Sequence, residues 1–484
     1  MKPQTVEGYT PLALYIAGEW TQGSGTGGEA VLDPALGSEI GWLPHATSVE
    51  LDAALASADR GFAVWRKSSP QQRCKVLGAA AALLRERGAK IARICALEEG
   101  KTIGEAMWEI NFTADRIEWL GEEAKRLTGT VLPKGFFGDE RRLVPEPVGP
   151  VLAMSPWNLP IMMPGSKIAC ALAAGCSVIV KPSEETPGTG VELVRCFVDA
   201  GVPANVINLV YGAPAEVSTR LIESPVIRKV SFTGPLAVGK LLYRQCADGM
   251  KKMTMELGGH APVIVFDDVD VDAVVAKTVQ SKFSNAGQMC IAPTRFYVHD
   301  RIADAFAERF TAASAALKVG NGLDKETQMG PLANARRVDG TEAMIADALD
   351  RGAKLRTGGK RIGNTGFFFE PTVLSDVPNE ARPMWDEPFG PIAMINRWDN
   401  LENVIAEANR LPFALGAYAF TRSQKNAQIM TEEIETGMIA INMAHVGGYD
   451  APFGGIKESG IGRESGAEGL REYLDNKLVT QMNL

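Results

Sequence analysis

Histidine is scarce in this chain, since only 4 occur among 484 residues and they are widely separated. The 7 cysteines are an odd number, and no two have CxxC spacing. Scattered histidines and cysteines of this kind argue against a local zinc site and against a disulfide framework. They are typical of reduced thiols, so we expect a cytoplasmic protein without a metal.

Long apolar runs and an excess of basic residues are also missing. The most apolar stretch, residues 168–180, spans about 13 residues, too few for a bilayer-crossing helix. The formal net charge of -8 gives no basic surface for nucleic acid or for an anionic membrane. Residues 1–20 lack the basic start and apolar core of a secretory leader. We therefore expect neither a nucleic acid nor a membrane as partner.

The composition, 45% hydrophobic and 22% charged, is that of a globular chain, and its length exceeds one ordinary core. Residues 51–127 carry apolar side chains at three- and four-residue spacing, which predicts helices. From residue 147, short apolar runs alternate with helical segments, and a second alternation begins near residue 261. This pattern predicts an α/β fold with two domains, the first a doubly wound parallel sheet. Its ligand should bind beyond the C-terminal strand ends.

Two strand-like segments lie outside this alternation. They either form a small β arm that contacts another subunit, or remain a surface hairpin and a frayed terminus. The boundaries that we predict are 1–124 with 147–257 for the first domain, 258–449 for the second, 125–146 with 465–484 for the arm, and 450–464 for a connecting segment.

Two glycine motifs lack the context that nucleotide binding requires. Gly23, Gly25 and Gly28 satisfy GxGxxG, but we expect no strand before them, and VLDP follows instead of a helix. Residues 234–240 (GPLAVGK) look like a phosphate loop, yet Leu241 stands where a hydroxyl should hold magnesium. This second turn either only closes a strand-to-helix connection or offers a helix N-terminus to a dinucleotide pyrophosphate.

Four residues carry possible chemistry, and each has an ordinary alternative. Cys290 lies in a polar turn, so it is an exposed thiol able to ionise and attack, or a plain buried cysteine. Glu256 ends a strand-like run before two glycines, as a general base or a surface carboxylate. Asn158, between two prolines, is an oxyanion donor or a turn residue. Lys181 follows a strand, where it binds a cofactor hydroxyl or is simply solvated.

Taken together, the motifs resemble the aldehyde dehydrogenase superfamily over essentially the whole chain. No single motif is decisive, but seven in the family's order and spacing are very specific. The chain looks most like the succinate semialdehyde and α-ketoglutaric semialdehyde branch. The motifs are SPWNLP (155–160), KPSEETP (181–187), SFTG (231–234), MELGGHAP (255–262), NAGQMC (285–290), EPFGP (387–391) and APFGGIKESGIGRE (451–464).

The resemblance implies oxidation of a small aldehyde to the acid with NAD(P)+, a Rossmann-like cofactor domain, a catalytic domain and an arm that builds a homodimer or homotetramer. Cys290 matches the nucleophile that forms a thiohemiacetal and then a thioester. Asn158 and the backbone N–H of Cys290 match the oxyanion hole, and Glu256 matches the base that activates water. The implied cofactor-binding residues are Trp157, Lys181, Pro182, Ser183, Glu184, Gly234, Pro235, Leu257, Glu387 and Phe389.

Two departures from the family's pattern concern the cofactor. Glu184 occupies the position that faces the adenosine ribose, where a carboxylate accepts from a 2′-hydroxyl and repels a 2′-phosphate. We therefore expect NAD+ to be preferred, with NADP+ as a possible second cofactor because Lys181 is near. Pro235 replaces a common serine, which removes a hydroxyl and an N–H near the pyrophosphate.

Two further departures concern the substrate. Ser166 and Ser284 stand where the succinate semialdehyde branch has arginines that bind the substrate carboxylate, and serine does not replace a guanidinium. We therefore predict an uncharged aromatic or aliphatic aldehyde, with an acidic semialdehyde as the alternative if another arginine restores the site. The other wall residues that we predict are Phe112, Met163, Met289, Ile291, His445, Tyr449 and Phe453, each of which has ordinary packing as its alternative.

Three other classes compete with this hypothesis. A coenzyme A-acylating relative is expected to lack the base, so Glu256 counts against it. A thiol hydrolase needs a histidine partner for Cys290, for which His260 and His299 are the candidates. A non-catalytic binding protein has no reason to keep nucleophile, base and amide together.

Overall fold

The computed structural model describes residue 6 and residues 8–482. Residues 1–5, 7 and 483–484, at the ends of the predicted first domain and arm, lie outside the described part. In chain order the strands are β1 (Leu14–Ile16), β2 (Glu19–Thr21), β3 (Gly28–Asp33), β4 (Ser38–Pro44), β5 (Thr130–Leu132), β6 (Glu140–Pro147), β7 (Val151–Met154), β8 (Val178–Lys181), β9 (Ile207–Leu209), β10 (Lys229–Thr233), β11 (Lys252–Glu256), β12 (Ala261–Val265), β13 (Pro293–His299), β14 (Lys354–Thr357), β15 (Thr372–Ser375), β16 (Ile392–Trp398), β17 (Phe413–Ala414), β18 (Gly416–Phe420), β19 (Met438–Ile441), β20 (Ile456–Lys457), β21 (Gly460–Ile461) and β22 (Leu474–Gln481).

The helices fall between these strands, and two 3-10 turns accompany them at Ser284–Gly287 and Arg382–Met384. None of the helices described is both long and apolar enough to cross a membrane. The helices are α1 (Ser48–Trp65), α2 (Pro70–Glu86), α3 (Gly88–Glu99), α4 (Ile103–Ala124), α5 (Met162–Ala174), α6 (Pro187–Asp199), α7 (Pro214–Glu223), α8 (Leu236–Asp248), α9 (Val271–Phe283), α10 (Asp300–Ala315), α11 (Ala335–Asp350), α12 (Leu401–Asn409), α13 (Gln424–Glu433) and α14 (Gly466–Arg471).

The helical prediction for residues 51–127 is confirmed by α1 to α4. Their starts have local causes, because Thr102 and Glu105 form a capping box that satisfies the free N–H groups at the start of α4. Gly100 ends α3 with a φ of 93°, and a Cβ there would lie 2.7 Å from Pro331. Glycine is the residue that meets both conditions.

The first sheet has the order β2-β1-β9-β8-β7-β10-β11-β21. Its central strands β9, β8, β7, β10 and β11 run parallel, as predicted. Every residue of β7, β8 and β10 is buried, so both faces of the sheet are covered. The helices α1, α5, α6 and α8 pack against it. The doubly wound prediction is confirmed.

The second sheet has the order β14-β15-β16-β13-β12-β18-β19 and is parallel except at β14. It has its own hydrophobic core, separate from the core of the first sheet. The strands β6 and β22 pair along their whole length, and β5 joins β6, so the two arm segments meet in one three-stranded sheet. In the connecting segment, β20 pairs with β17 and β21 pairs with β11.

One expectation about the N-terminal glycines is wrong. Strand β2 ends at Thr21, so a strand does precede Gly23. The sequence argument missed it because β2 has only 3 residues and pairs with β1 through a tight turn. Strand β3 follows instead of a helix, and the context for dinucleotide binding is therefore still incomplete.

Candidate active site

The C-terminal edge of the first sheet brings together the side chains that the motifs singled out. Strand β8 ends at Lys181, and its neighbour β7 leads to Trp157 and Asn158. Strand β10 leads to Gly234, and its neighbour β11 ends at Glu256. Because parallel strands end at the same edge, residues far apart in sequence face one cleft.

Cys290 is presented by an unusual turn between α9 and β13. Asn285, Ala286 and Gly287 have φ values of 50°, 52° and 72°, a left-handed conformation that costs a non-glycine residue about 1–2 kcal/mol. A Cβ on Gly287 would lie 2.3 Å from the carbonyl oxygen of Gly390. The turn is therefore closely packed against the EPFGP segment.

Contacts from the first domain hold this turn in place. The Glu105 carboxylate accepts hydrogen bonds from the Asn285 backbone N–H at 2.7 Å and from the Ser284 hydroxyl at 3.0 Å. The Asn285 side-chain amide donates to the backbone oxygen of Asn158 at 3.0 Å. Buried Lys101 donates to the same oxygen at 2.7 Å. The turn that precedes Cys290 and the oxyanion candidate Asn158 are therefore held in a fixed position relative to each other.

Cys290, Glu256 and Asn158 line one cavity of about 400 Å³. The other predicted site residues in its wall are Met163, Trp157, Gly234, Pro235, Leu257, Glu387 and Phe389. The Trp157 and Phe389 rings meet edge to face with centroids 5.6 Å apart. Arg337, which the sequence argument missed, has its guanidinium carbon 5.5 Å from the centre of the Phe389 ring.

The Asn158 side chain is held by the turn that it faces. Its amide nitrogen donates to the carbonyl oxygen of Gln288 at 2.9 Å. An amide nitrogen carries two hydrogens, so a second donor remains for a substrate oxygen. Lys101 is fixed in turn by Glu109 at 2.7 Å, and Glu109 accepts from two backbone N–H groups at the start of α5.

Burial controls the acid–base properties of this cavity. Burial raises the pKa of Glu256 well above its ordinary value, and the nearby cations Lys167 and Arg463 offset only part of this effect. Among the described residues, neither carboxylate oxygen of Glu256 has a hydrogen-bond partner. Burial also raises the pKa of Glu387 to about 7. The cavity therefore holds two carboxyl groups whose neutral forms are favoured by burial, and Glu387 gains or loses its proton near neutral pH.

Of the two interpretations of Cys290, an exposed thiol or a buried one, the structure favours burial. The residue is partly buried, and burial, followed by the neighbouring Glu387 and Glu256, raises the pKa of its thiol well above the usual value. The thiol packs against the hydrophobic core of the second domain, to which Cys290 itself belongs. In the core of the first domain, by comparison, Cys170 and Cys176 are fully buried.

The residues after β8 lie outside the wall of this cavity. Lys181 donates to the Glu184 carboxylate at 2.5 Å, and burial raises the pKa of Glu184 against the effect of Lys181. Ser183 hydrogen-bonds to Glu185, which also pairs with Arg336 at 2.8 Å. Pro182 completes this segment at the sheet edge.

A larger cavity of about 990 Å³ adjoins the nucleophile turn. Of the predicted wall residues, Ser284, Met289, Ile291 and His445 line it. Trp108, which the sequence argument missed, stacks on Phe112 with centroids 5.0 Å apart and meets His445 edge to face at 5.9 Å.

The remaining predicted wall residues surround Phe112. Its ring packs against Met163 and meets Tyr449 edge to face at 6.4 Å. Ser166 is buried on α5 and lines neither cavity. Phe453 lies further along, where its backbone pairs with Glu464.

The two serines have different neighbours, and an arginine from another helix, which the acidic alternative requires, lies beside Ser166. Ser284 hydrogen-bonds to Glu105, but the Ser166 hydroxyl accepts a hydrogen bond from Arg116 at 2.8 Å. Arg116 stands one helical turn after Phe112 on α4, and that spacing was the available sequence signal.

A model of the aldehyde dehydrogenase family matches residues 20–479. The chain belongs to the aldehyde dehydrogenase family. This dehydrogenase is 44% identical over 466 residues to a putative 4-(hydroxymethyl)benzenesulfonate dehydrogenase of Comamonas testosteroni. The alignment covers 96% of this chain and 97% of the relative. It is 41% identical over 465 residues to the NADP+ succinate-semialdehyde dehydrogenase of Escherichia coli, with 96% of each chain covered.

A solved Escherichia coli structure, described as an NADP-dependent enzyme, superposes on this dehydrogenase with a TM-score of 0.96 at 39% identity, covering 98% of each chain. The predicted family, its semialdehyde branch and the α/β fold are therefore confirmed. The protein is an NAD(P)+-dependent aldehyde dehydrogenase. Its substrate and its preferred cofactor are not fixed by these relatives.

The raised pKa of Cys290 predicts how fast the thiol reacts with iodoacetamide. A thiol whose pKa is raised is mostly protonated at neutral pH, and only the thiolate attacks. Below the pKa, we expect the alkylation rate of the free dehydrogenase to rise about tenfold per pH unit between about pH 7 and pH 9. Peptide mass spectrometry of Cys290 after timed quenching measures this rate.

A Cys74→Ala variant serves as the background for this measurement, because Cys74 is the other cysteine that is only partly buried. Its removal should leave the Cys290 rate unchanged. A Cys290 rate that is already at a plateau near pH 7 would contradict the raised pKa.

Proposed function

We propose that Cys290, Asn158 and Glu256 carry out the oxidation. The Cys290 thiolate attacks the aldehyde carbon, and the oxygen that becomes negative is stabilised by the Asn158 amide and the backbone N–H of Cys290. The observation that supports this proposal best is that all three residues line the same cavity of about 400 Å³.

The proposed oxidation passes through two covalent intermediates on Cys290. Attack forms the S–C bond of a thiohemiacetal, and the carbon then loses a hydride with its electron pair, which leaves a thioester on Cys290. Glu256 takes a proton from water while the water oxygen bonds to the thioester carbon, and the C–S bond breaks to release acid and thiolate. The sum is aldehyde, water and oxidised cofactor giving carboxylate, reduced cofactor and two protons.

The dinucleotide fits the residues in the cavity wall. The nicotinamide supplies the hydride acceptor at its C4 carbon. The Trp157 and Phe389 rings give this wall apolar surface, and Glu387 accepts from the Gly259 N–H with one of its two oxygens. The second oxygen is then free for a ribose hydroxyl. Gly234 and Pro235 precede α8, whose N-terminus suits a pyrophosphate.

The contacts of the two candidate histidines disfavour a thiol hydrolase. Both ring nitrogens of His260 are engaged, with Thr294 at 2.8 Å and with the Pro383 carbonyl oxygen at 2.9 Å. His299 caps α10 and its ring meets Trp398. Neither lines the cavity that holds Cys290, whereas Glu256 does.

A Glu256→Gln variant tests the role of the base. Glutamine keeps the shape and removes the proton acceptor, so the thioester should form and then persist. We expect a burst of about one reduced cofactor per subunit, followed by steady turnover reduced about 100-fold or more. Stopped-flow absorbance of the reduced cofactor measures both phases.

Cys290→Ala is the matched control, since it should abolish the burst as well as the turnover. If Glu256→Gln turned over like the wild type, the base would be another group. If it lost the burst together with the turnover, Glu256 would act before hydride transfer and the proposed role would fail.

We also propose that NAD+ is preferred and NADP+ accepted. The names of two relatives carry NADP, so this proposal rests on Glu184 alone. Its carboxylate repels a 2′-phosphate at close range, and it also holds the Lys181 ammonium that would otherwise attract one.

A Glu184→Gln variant should shift this preference. Removing one like charge near the 2′-position should raise the ratio of kcat/KM for NADP+ to that for NAD+ about tenfold. Glu185→Gln removes the same charge one residue along and should leave the ratio near the wild-type value. An unchanged ratio in Glu184→Gln, or an equal rise in both variants, would contradict this proposal.

For the substrate we propose an aromatic aldehyde. The support is the aromatic wall, defined here as Trp108, Phe112, His445 and Tyr449, whose rings contact one another beside the nucleophile turn. The uncharged aldehyde expected from Ser166 and Ser284 stays a prediction. An aldehyde with an acidic group is the second candidate, favoured by the guanidinium of Arg116 next to Ser166 and by the names of the two relatives.

Domain and subunit organisation are proposals as well. We propose residues 1–124 and 147–257 as the cofactor domain and 258–449 as the catalytic domain, joined by 450–464. The arm exposes Val131, Phe136 and Phe137, whose side chains are 86%, 96% and 78% accessible. Exposed apolar side chains of this size suit contact with a second copy in a homodimer or homotetramer.

A further inference from the structure

Arg116 is a buried cation with few partners. The residue is 3% exposed. Of its five N–H donors, one binds the Ser166 hydroxyl at 2.8 Å and one reaches the Gly448 carbonyl oxygen at 3.3 Å. Its Nε is buried without a partner, and no carboxylate in the described part of the chain pairs with it within 4.0 Å.

Another buried arginine shows what a purely structural role requires. Arg295 is 1% exposed, and its Nε and both Nη atoms bind backbone carbonyl oxygens and one hydroxyl at 3.0–3.3 Å. Those bonds satisfy the guanidinium without any counter-ion. Arg116 has no such set, because the edge formed by its Nε and Nη2 carries a single long hydrogen bond.

The charge of Arg116 persists at neutral pH. Burial lowers the pKa of its guanidinium to about 10, which is still well above 7. Burying a cation without a partner is costly, and an anion that arrives beside it recovers part of that cost. A planar acid group matches the Nε–Nη2 edge, because that edge forms two parallel hydrogen bonds.

Arg116 lines neither of the two cavities, but it contacts the aromatic wall. Its guanidinium carbon lies 4.8 Å from the centre of the Phe112 ring. Ser166 stands three residues after Met163 on α5, so the two share a helix face, and Met163 lines the cavity of Cys290. Tyr449, which follows Gly448, is 41% exposed and forms the outer side of this wall.

Lys101 and Lys277 also line the larger cavity, but Lys101 is paired with Glu109 and Lys277 donates to the Asn442 carbonyl oxygen. At Ser284 the nearest ionised group is Glu105, and its two oxygens already accept from Thr102, Ser284 and Asn285. A carboxylate or sulfonate is therefore repelled there and attracted at Arg116.

We propose that Arg116 binds an anionic substituent, a carboxylate or a sulfonate, of the aromatic aldehyde that this dehydrogenase oxidises. The proposal rests on the proposed function. The substituent displaces the Phe112 ring from the guanidinium and pairs with the Nε–Nη2 edge, while the aromatic wall holds the ring of the substrate. Arg116 thus determines substrate specificity without contacting the reacting carbon.

The test compares three substrates with the full-length protein and NAD+, namely benzaldehyde, 4-formylbenzoate and 4-formylbenzenesulfonate. Wild-type protein should have the lower KM for the two charged aldehydes. Arg116→Met, which keeps the length and removes the charge, should raise their KM about 10- to 100-fold and leave the benzaldehyde KM within about twofold. Arg116→Lys should give an intermediate KM, since lysine keeps the charge and loses the fork.

Arg126→Met is the matched control, because Arg126 lies just after the same helix and is solvent-exposed on its pair with Glu123. It should leave all three KM values unchanged. Equal losses on benzaldehyde and on the charged aldehydes in Arg116→Met would mean that Arg116 only supports the Gly448 loop. No preference for charged aldehydes in the wild type would also overturn the proposal.

A binding measurement on the wild type remains decisive if Arg116→Met does not fold or if no aldehyde is oxidised. Calorimetric titration with 4-sulfobenzoate and with terephthalate should show dissociation constants about 10- to 100-fold below that of benzoate. Equal affinities would overturn the role of Arg116. Oxidation of benzaldehyde without any charge preference would overturn this proposal alone, whereas tight binding without oxidation of any aldehyde would contradict the proposed function.

Discussion

The left-handed turn of residues 284–287 is the constraint on which the site depends. Asn285 and Ala286 adopt a conformation that their side chains disfavour, and the turn persists because contacts from both domains hold it. The Glu105 carboxylate accepts a hydrogen bond from the Asn285 backbone N–H. The backbone oxygen of Asn158 accepts one from the Asn285 side-chain amide. Gly390 packs against Gly287. The thiol three residues later is therefore fixed at the seam between the two sheets.

Because the site lies at this seam, its ionisable groups are buried before any ligand arrives. Burial raises the pKa of Cys290, of Glu256 and of Glu387, each with the neutral form favoured. Lys101, by contrast, stays charged through Glu109, and it fixes the backbone of Asn158. The Lys101–Glu109 ion pair thus supports the site from outside. In the proposed reaction, the groups that change charge are those of the cavity itself, Cys290 and Glu256.

Sequence patterns predicted the features that depend on neighbouring residues in the chain, such as the buried strands and the residues at their ends. The buried strands appear as continuous apolar runs, so Glu256 at the end of β11 and Lys181 at the end of β8 were expected at one sheet edge. Contacts between distant segments leave no such pattern. Glu105 reaches Asn285 across 180 residues and Arg116 reaches Ser166 across 50, and both depend on how α4 packs in the folded chain. The burial of Cys290 likewise depends on packing in the folded chain, since its side chain contacts the core of the second domain.

The most direct test of the account is to identify the covalent intermediate. Glu256→Gln protein is mixed with benzaldehyde and NAD+, quenched in acid and digested, and the peptide that contains Cys290 is analysed by mass spectrometry. We expect a benzoyl group on Cys290 that forms only when the oxidised cofactor is present. An unmodified Cys290 after the reduced cofactor has formed, or the same adduct without cofactor, would contradict it.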